Sequence, residues 1–310
     1  HFEGVRPGSH VVQLDLDSDG RVTVRASTNE IGQGAYTAYT QMAAERLGVE
    51  MERIRVVGAD TAATPDSGTT TASRTTYAVG NAVFMAIQKL EHELGRRAAE
   101  QMGWNTGASS TGACRIQDGL LLCGDRQVAM EDLAGPEGVS CRATFHIPTA
   151  TVELGDGLPH LLYSYGTHVV MVEVDTLTGE IGVVAVEAFL DGGRVIFRTG
   201  FEGQSEGGVA QGIGYALFEE VLFDQGRFMN TNFNSYVLPT SMDVPARIRT
   251  VPVEVKEASG PLGAKGVSET CMVGVTPAVL NAIDDAIGVR FTRIPVRAED
   301  VLTALEGQKQ

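Results

Sequence analysis

The sequence predicts an α+β protein made of two mixed α/β subdomains, residues 1–160 and 161–310. Three observations carry that expectation. Short stretches of period-2 alternation are interleaved with apolar stretches of helical period. The second half repeats the order of the first: a strand pair, a polar glycine-rich loop, a helix and a strand. Between the halves, residues 145–162 hold Pro148, Pro159 and two glycine-rich turns, the composition of a boundary. Strands and helices mixed in this order make sheets covered by helices on one face.

Residues 10–27 alternate through Val11, Gln13 and Asp15, then Val22, Val24 and Ala26. The Asp-Ser-Asp-Gly run at 17–20 between them predicts a β-hairpin. The glycine-bracketed loop 29–34 leads into a helix over 36–47, with Met42, Ala43 and Leu47 on its apolar face and Gly48 as its stop. Residues 54–57 form a short strand. Residues 59–76, rich in Thr, Ser, Ala, Gly and Asp, are too polar for core and too compact for a linker. A second helix spans 77–102, with Val79, Val83, Phe84, Ile87, Leu90 and Leu94 roughly in phase. Residues 104–143 read as an excursion of short strands and turns at 114–116, 120–122 and 129–133.

In the second half, strands at 166–174 and 181–189 flank a turn at 175–180. The loop 200–208 leads into a helix over 209–222, and a strand over 247–255 precedes the glycine-rich stretch 260–274. A helix ending near 287, a strand at 289–294 and a closing helix at 298–305 complete the chain.

A chain of 310 residues can bury a sizeable core. Its 43% hydrophobic and 20% charged residues describe a soluble globular protein. A formal net charge of -15 argues against nucleic-acid or anionic-membrane partners, which need basic surface, and leaves a small-molecule substrate open. No apolar run reaches the length of a membrane span and no leader is visible, which points to the cytoplasm. The chain opens at His1 without a methionine, so either a segment precedes it or it was processed. Cys114, Cys123, Cys141 and Cys271 lack CxxC spacing and read as reduced structural thiols. The six histidines form no HxxxH or HxH pattern, so none is assigned to a metal.

Four loops resemble one another: 29–34, 66–76, 200–208 and 260–269. Each combines glycines with small or hydroxyl residues near an expected helix start, where free N–H groups and the dipole favour an oxyanion. One such loop is ordinarily a turn with an N-cap; four in one chain weigh against that. Thr69 to Thr71, Ser73 and Thr75 add hydroxyls, and Arg74 can pair with an anion. Gly260, Gly263 and Gly266 allow close backbone approach ahead of a single carboxylate, Glu269, at a helix start. That carboxylate is either a solvated first-turn acid or a general base behind a ligand-admitting loop. Gln33 and Gln204, each preceded by glycine, carry amides suited to a neutral polar group. No P-loop, no strand-GxGxxG-helix unit and no Gly-x-Ser-x-Gly elbow is present.

Together these segments resemble the molybdenum-binding large subunit of the xanthine dehydrogenase / aldehyde oxidase family, the molybdenum hydroxylases. The resemblance rests on Gly32-Gln33-Gly34; on Thr70-Thr71-Ala72-Ser73-Arg74-Thr75; on Gly203 to Gly214 with Gln204, Glu206 and Gln211; and on Lys265-Gly266-Val267-Ser268-Glu269. Tyr236-Val-Leu-Pro-Thr240 and Thr276-Pro-Ala-Val-Leu-Asn-Ala282 extend it over nearly the whole chain. Two departures are Ser268 where the family has glycine, and Phe197-Arg198 where it commonly has Asn-Pro. Family large subunits are more than twice as long, and their Gly-Gly-x-Phe-Gly pterin loop is not found here. The chain thus looks like the second half only, either one part of a divided large subunit or a fragment.

The resemblance implies a molybdenum–molybdopterin cofactor, in its cytosine dinucleotide form. It would be held by Gly32, Gln33, Gly34, Thr71, Ala72, Ser73, Arg74, Thr75, Gln204, Gly266, Val267 and Ser268. Glu269 would be the base in hydroxylation of an electron-poor carbon of a purine- or nicotinate-like N-heterocycle, with oxygen from water. A second molybdopterin-binding chain would supply the other half of the site, and iron–sulfur and FAD subunits would take the electrons. Alternatives are an aldehyde or aryl-CoA oxidoreductase of the same family, a non-catalytic cofactor-binding scaffold, and an unrelated phosphate-binding protein whose loops hold a nucleotide.

Overall fold

The structure is a computed structural model that describes residues 8–104, 114–148 and 162–308. The proline- and glycine-rich stretch read as a boundary lies mostly at 149–161, outside the described residues. The chain forms two compact units. The first comprises His1–Tyr163, Gly193–Phe197 and Val255–Gly266; the second comprises Ser164–Gly192, Arg198–Glu254 and Val267–Gln310.

In the first unit, strand β1 (Ser9–Leu16) pairs antiparallel with β2 (Val22–Arg25). Its period-2 pattern turns His10, Val12, Leu14 and Leu16 inward. Helix α1 (Ala35–Leu47) follows, closed by Gly48 in the left-handed conformation. Strand β3 (Ile54–Val57) then joins β2 in parallel. Helix α2 (Thr75–Met102) buries Val79, Val83, Ile87, Leu90 and Leu94 against the sheet. These elements agree with the sequence expectation.

The excursion is more ordered than expected. Strands β4 (Cys114–Gln117), β5 (Leu120–Cys123) and β6 (Arg126–Ala129) make a small antiparallel sheet. Residues 130–134, expected as strand or turn, are helix α3 (Met130–Ala134), whose first turn carries Glu131 and Asp132 where the dipole favours them. Strand β7 (Val139–His146) is no part of an excursion. It pairs with β1 and completes a sheet of order β3-β2-β1-β7, with Val139, Cys141 and Ala143 facing the core.

Cys114 and Cys123 are not the reduced thiols expected. The β4/β5 register sets them directly opposite one another, and they form a disulfide across a Cα–Cα distance of 4.4 Å. Sequence spacing tests for metal knuckles and cannot register a cross-strand pair. Cys141 and Cys271 are free and buried.

The second unit is built on β8 (Tyr165–Val174) and β9 (Ile181–Asp191), antiparallel, with β12 (Arg247–Pro252) parallel to β9. Helix α4 (Arg198–Leu217) lies between β9 and β12 in the chain. The hairpin β10 (Phe223–Asp224) and β11 (Arg227–Phe228) follows it. Short helix α5 (Thr270–Val273) and then α6 (Val275–Ile287) complete the core. Val209 and Ile213 of α4 meet Val275, Val279 and Ile283 there, over Val186 of β9. Helix α7 (Ala298–Gly307) closes the chain.

Two expectations fail in this unit. Residues 200–208 are not a loop but the first half of α4. Ser205, Val209, Ile213 and Ala216 recur at helical spacing on its buried face. The glycines that read as loop are packing positions: a Cβ at Gly208 would lie 2.7 Å from Cys271 Cβ, and one at Gly212 2.5 Å from Val275 Cβ. Residues 289–294 form no strand. Phe291 packs individually against the core, and the Val296 amide bonds to Ala216 O at 2.8 Å rather than to a neighbouring strand. No helix among the described residues is long and apolar enough to cross a membrane.

Candidate functional site

Three of the four loops converge in the first unit. Ser27 and Ser67 exchange backbone-to-hydroxyl hydrogen bonds of 2.9 and 2.8 Å, and the Asn29 amide donates to Thr70 Oγ1 at 3.0 Å. These bonds lay loop 66–76 alongside loop 29–34. From the other side, Tyr77 and Asn81 of α2 hold Ser259 at 3.0 Å each, and the ring of Pro261 packs over Gly80. The segment 259–266 is thereby fixed along the first turns of α2. At its end a Cβ on Gly266 would meet Ser73 O at 1.7 Å, so no side chain fits. Lys265 is buried and donates to Tyr163 O at 3.0 Å.

The loops differ in what they offer an anion. At α1 the helix start is already filled. Glu30 Oε1 accepts from the amides of Gly32 and Gly34 at 3.0 and 2.9 Å, and its Oε2 from Tyr36 at 3.1 Å. The chain's own carboxylate therefore occupies the place expected for an exogenous oxyanion. Gln33 is engaged within the same loop: its Oε1 accepts from Ile31, and its Nε2 donates to Asn29 O, both at 2.7 Å. One amide proton and one lone pair remain for another molecule. Glu30 was missed from sequence, although an acid four residues before a helix cap is itself a signal.

At α2 the start is open. Arg74 is the cap residue, no side chain caps the helix, and Thr75 is its first residue. Ala72 and Ser73 precede it with φ of 56° and 51°. Two successive left-handed non-glycine residues cost on the order of 1 kcal/mol or more each and persist only where surroundings over-determine them. Thr71 O accepts from the Arg74 amide at 3.3 Å, closing the turn. Arg74 is buried, and burial lowers its pKa. Its guanidinium donates to Thr69 O from Nε and Nη2, at 3.2 and 3.0 Å, and to Thr69 Oγ1. Arg74 thus braces the loop on which Thr70 and Thr71 sit.

The second unit carries Gln204, Val267, Ser268 and Glu269. Gln204 lies on α4 one turn before Gly208 and so shares the face that packs on Cys271. Its neighbour Ser205 has a fully buried hydroxyl with no hydrogen-bond partner. Val267 packs against Gly192, and its carbonyl accepts from the Cys271 amide at 3.1 Å. Glu269 caps α5, its carbonyl accepting from Met272 and Val273 at 3.1 Å each, while its side chain and that of Ser268 are exposed on this chain. Cys271, two residues on, is buried, and burial pushes its thiol up to about 12, which leaves it inert as a nucleophile.

This donor set suits an anionic, phosphate-bearing organic group. It offers the uncapped amides of a long helix, hydroxyls beside them and glycine backbone in close approach. Among the described residues no three His, Cys, Asp or Glu side chains gather.

The chain belongs to the molybdopterin cofactor-binding domain family, which it matches over residues 2–245. It is 34% identical, over 96% of its length, to a probable xanthine dehydrogenase subunit of Bacillus subtilis, of which it covers 40%. It is 30% identical, over 95% of its length, to the gamma subunit of the 6-hydroxypseudooxynicotine dehydrogenase complex of Paenarthrobacter nicotinovorans, of which it covers 37%. Its fold is similar to the crystal structure of quinoline 2-oxidoreductase from Pseudomonas putida 86. The TM-score is 0.81 and the identity 26%, over 96% of this chain and 38% of that one. The resemblance carried by the motifs and the expected α+β class are borne out. The chain spans about two fifths of the length of these relatives.

Proposed function

We propose that this chain is the Glu269-bearing part of a molybdenum hydroxylase that oxidises an electron-poor carbon of an N-heterocycle. The observation that carries the proposal is the open start of α2. Its uncapped amides follow a strained Ala72-Ser73 turn locked by Gly266, inside a chain of the molybdopterin-binding family. When bound, the molybdenum cofactor supplies the two-electron redox chemistry and the site at which water-derived oxygen enters. Thr71, Ala72, Ser73 and Thr75 hold the anionic arm of the cofactor, in its cytosine dinucleotide form, through N–H and hydroxyl donors. Arg74 keeps that loop in shape through Thr69. The other residues proposed to contact the cofactor are Gly32, Gln33, Gly34 and Gly266 in the first unit and Gln204, Val267 and Ser268 in the second. Glu269 accepts the proton released as the substrate carbon is oxygenated, and Glu269 Oε is where that proton resides.

Relatives' names support an N-heterocyclic substrate, since xanthine, 6-hydroxypseudooxynicotine and quinoline denote N-heterocycles or their derivatives. A base works best shielded from water. Glu269 is exposed on this chain, and the proposal assigns its cover to a second molybdopterin-binding polypeptide. Electrons leave through iron–sulfur and FAD subunits. A cluster needs about four thiolates, whereas two of this chain's four cysteines are paired and two are buried.

The test is elemental and nucleotide analysis of the complex purified through this chain. Molybdenum with a pterin dinucleotide supports the proposal. A bound nucleotide without molybdenum contradicts it. Dye reduction against N-heterocycles and aldehydes then separates the two substrate classes.

A further inference from the structure

The stretch between α6 and α7 in the second unit lines a cavity of about 520 Å³. Asp300, Thr303 and Ala304, neighbours on one face of α7, form its other wall. The stretch pairs with no strand among the described residues, yet it is pinned in place. Pro295 and Val296 are buried, the Val296 amide donates to Ala216 O at 2.8 Å, and Phe291 packs on the core of the unit. Gln308 donates to Gly288 O at 3.2 Å, tying the end of α7 back to the end of α6. The cavity is therefore framed by core contacts and helix ends. None of the residues proposed above to hold the cofactor lines it.

Its charge is out of character for this protein. Residues 286–298 carry Arg290, Arg293 and Arg297 and no acid, in a chain of net charge -15. All three arginines line the cavity, and Glu220 and Asp300 are its acids. Both acids are committed to Arg297. Glu220 pairs with its guanidinium, and Asp300 accepts from its amide at 2.9 Å. Arg290 is held only by long contacts to Asp284 at 3.3 Å and Asn281 at 3.4 Å, with 71% of its side chain exposed. Arg293 is exposed and has no ion-pair partner among the described residues.

Two guanidinium groups thus line the cavity with donors to spare, and a guanidinium matches the paired oxygens of a phosphate. Their summed charge is balanced by a phosphate monoester, which carries about -1.5 to -2 at pH 7. Phe291, Ile294 and Pro295 add an apolar wall. Apolar walls, a few convergent polar groups and a volume within about 300–1,000 Å³ characterise a small-molecule site. The geometry points to a binding site for a small organic phosphate, its phosphate held by Arg290 and Arg293 and its apolar body against Phe291 and Ile294.

The test is calorimetric titration of the complex purified through a tag on this chain, with phenyl phosphate as the probe. Inorganic phosphate and phenol, its two halves, should each bind at least tenfold more weakly. Benzoate, with a single negative charge, should bind at least fivefold more weakly. Arg290→Ala with Arg293→Ala should weaken phenyl phosphate at least tenfold, and Arg293→Lys, which keeps the charge without the paired donors, should weaken it less. Arg247→Ala, at an exposed arginine of β12 outside the cavity, should leave binding unchanged. Thermal midpoints equal to the parent's establish that the variants are folded, as expected for exposed side chains. Failure of the parent complex to bind phenyl phosphate, or binding that survives the double substitution, overturns the inference. Inorganic phosphate binding as tightly as phenyl phosphate overturns the organic ligand, and benzoate binding as tightly overturns the phosphate.

Discussion

Gly266 lies so close to Ser73 that a single methyl group would stand 1.7 Å from the Ser73 carbonyl oxygen. The contact joins two segments almost two hundred residues apart in sequence. It explains how Ala72 and Ser73 keep left-handed backbone before α2. Glu269 follows three residues later in the chain.

Gly266→Ala should force the Ser73 turn away. The expected cost is about 1–3 kcal/mol in a denaturant titration, the scale of overpacking, with a fall in molybdenum content of the purified complex. An alanine variant with unchanged stability and metal content would show that the contact does not hold the turn.

Arg74→Lys keeps the charge but cannot reproduce paired donation to Thr69 O. Loss of a charged hydrogen bond costs about 1.5–3 kcal/mol, and the loop carrying Thr70 and Thr71 should loosen. Hydrogen exchange of the 69–76 amides should quicken in the variant. Exchange equal to the parent would place the brace elsewhere.

Glu30→Ala should strip the acceptor from three amides at the start of α1. The expected loss is about 1–2 kcal/mol, read as a lower unfolding midpoint. Glu30→Gln, which keeps an acceptor oxygen but loses the charge, should lose less.

Much of the fold was legible because its signals are local. The β1/β2 alternation, the Gly48 stop and the α2 periodicity each depend on neighbours in sequence. The failures share a cause: they depend on what a residue packs against. Gly203, Gly207 and Gly208 looked like a loop, yet Gly208 is small because Cys271 lies on it. The Cys114–Cys123 pair is made by strand register, which spacing alone does not report. Val289 to Ile294 is apolar enough for a strand but pairs with no strand among the described residues. For the candidate site, the motifs located the loops, while the structure distinguishes a helix start occupied by Glu30 from one left open at α2.

Two histidines, His10 buried and His168 half-buried, set a pH dependence. His10 Nδ1 donates to Ser67 O at 2.7 Å and His168 Nε2 to Cys271 O at 3.1 Å, while His10 Nε2 and His168 Nδ1 are buried without partners. Burial lowers both from the ordinary value of 6.5. The unfolded chain therefore takes up protons near 6.5 that the folded chain refuses. Their contribution to stability is complete above that pH and is lost as pH falls through 6.5 towards the folded values. Thermal midpoints should drop between pH 7 and 5, and His10→Gln with His168→Gln should flatten the drop. A midpoint independent of pH over that window would contradict this account.

Glu269→Gln in the metal-replete complex tests most directly whether Glu269 is the base of a molybdenum site. The amide has similar size and cannot accept the proton. The expected result is unchanged molybdenum and pterin content with dye-reduction turnover lost by several orders of magnitude. Near-normal turnover in a fully loaded Glu269→Gln complex would contradict it.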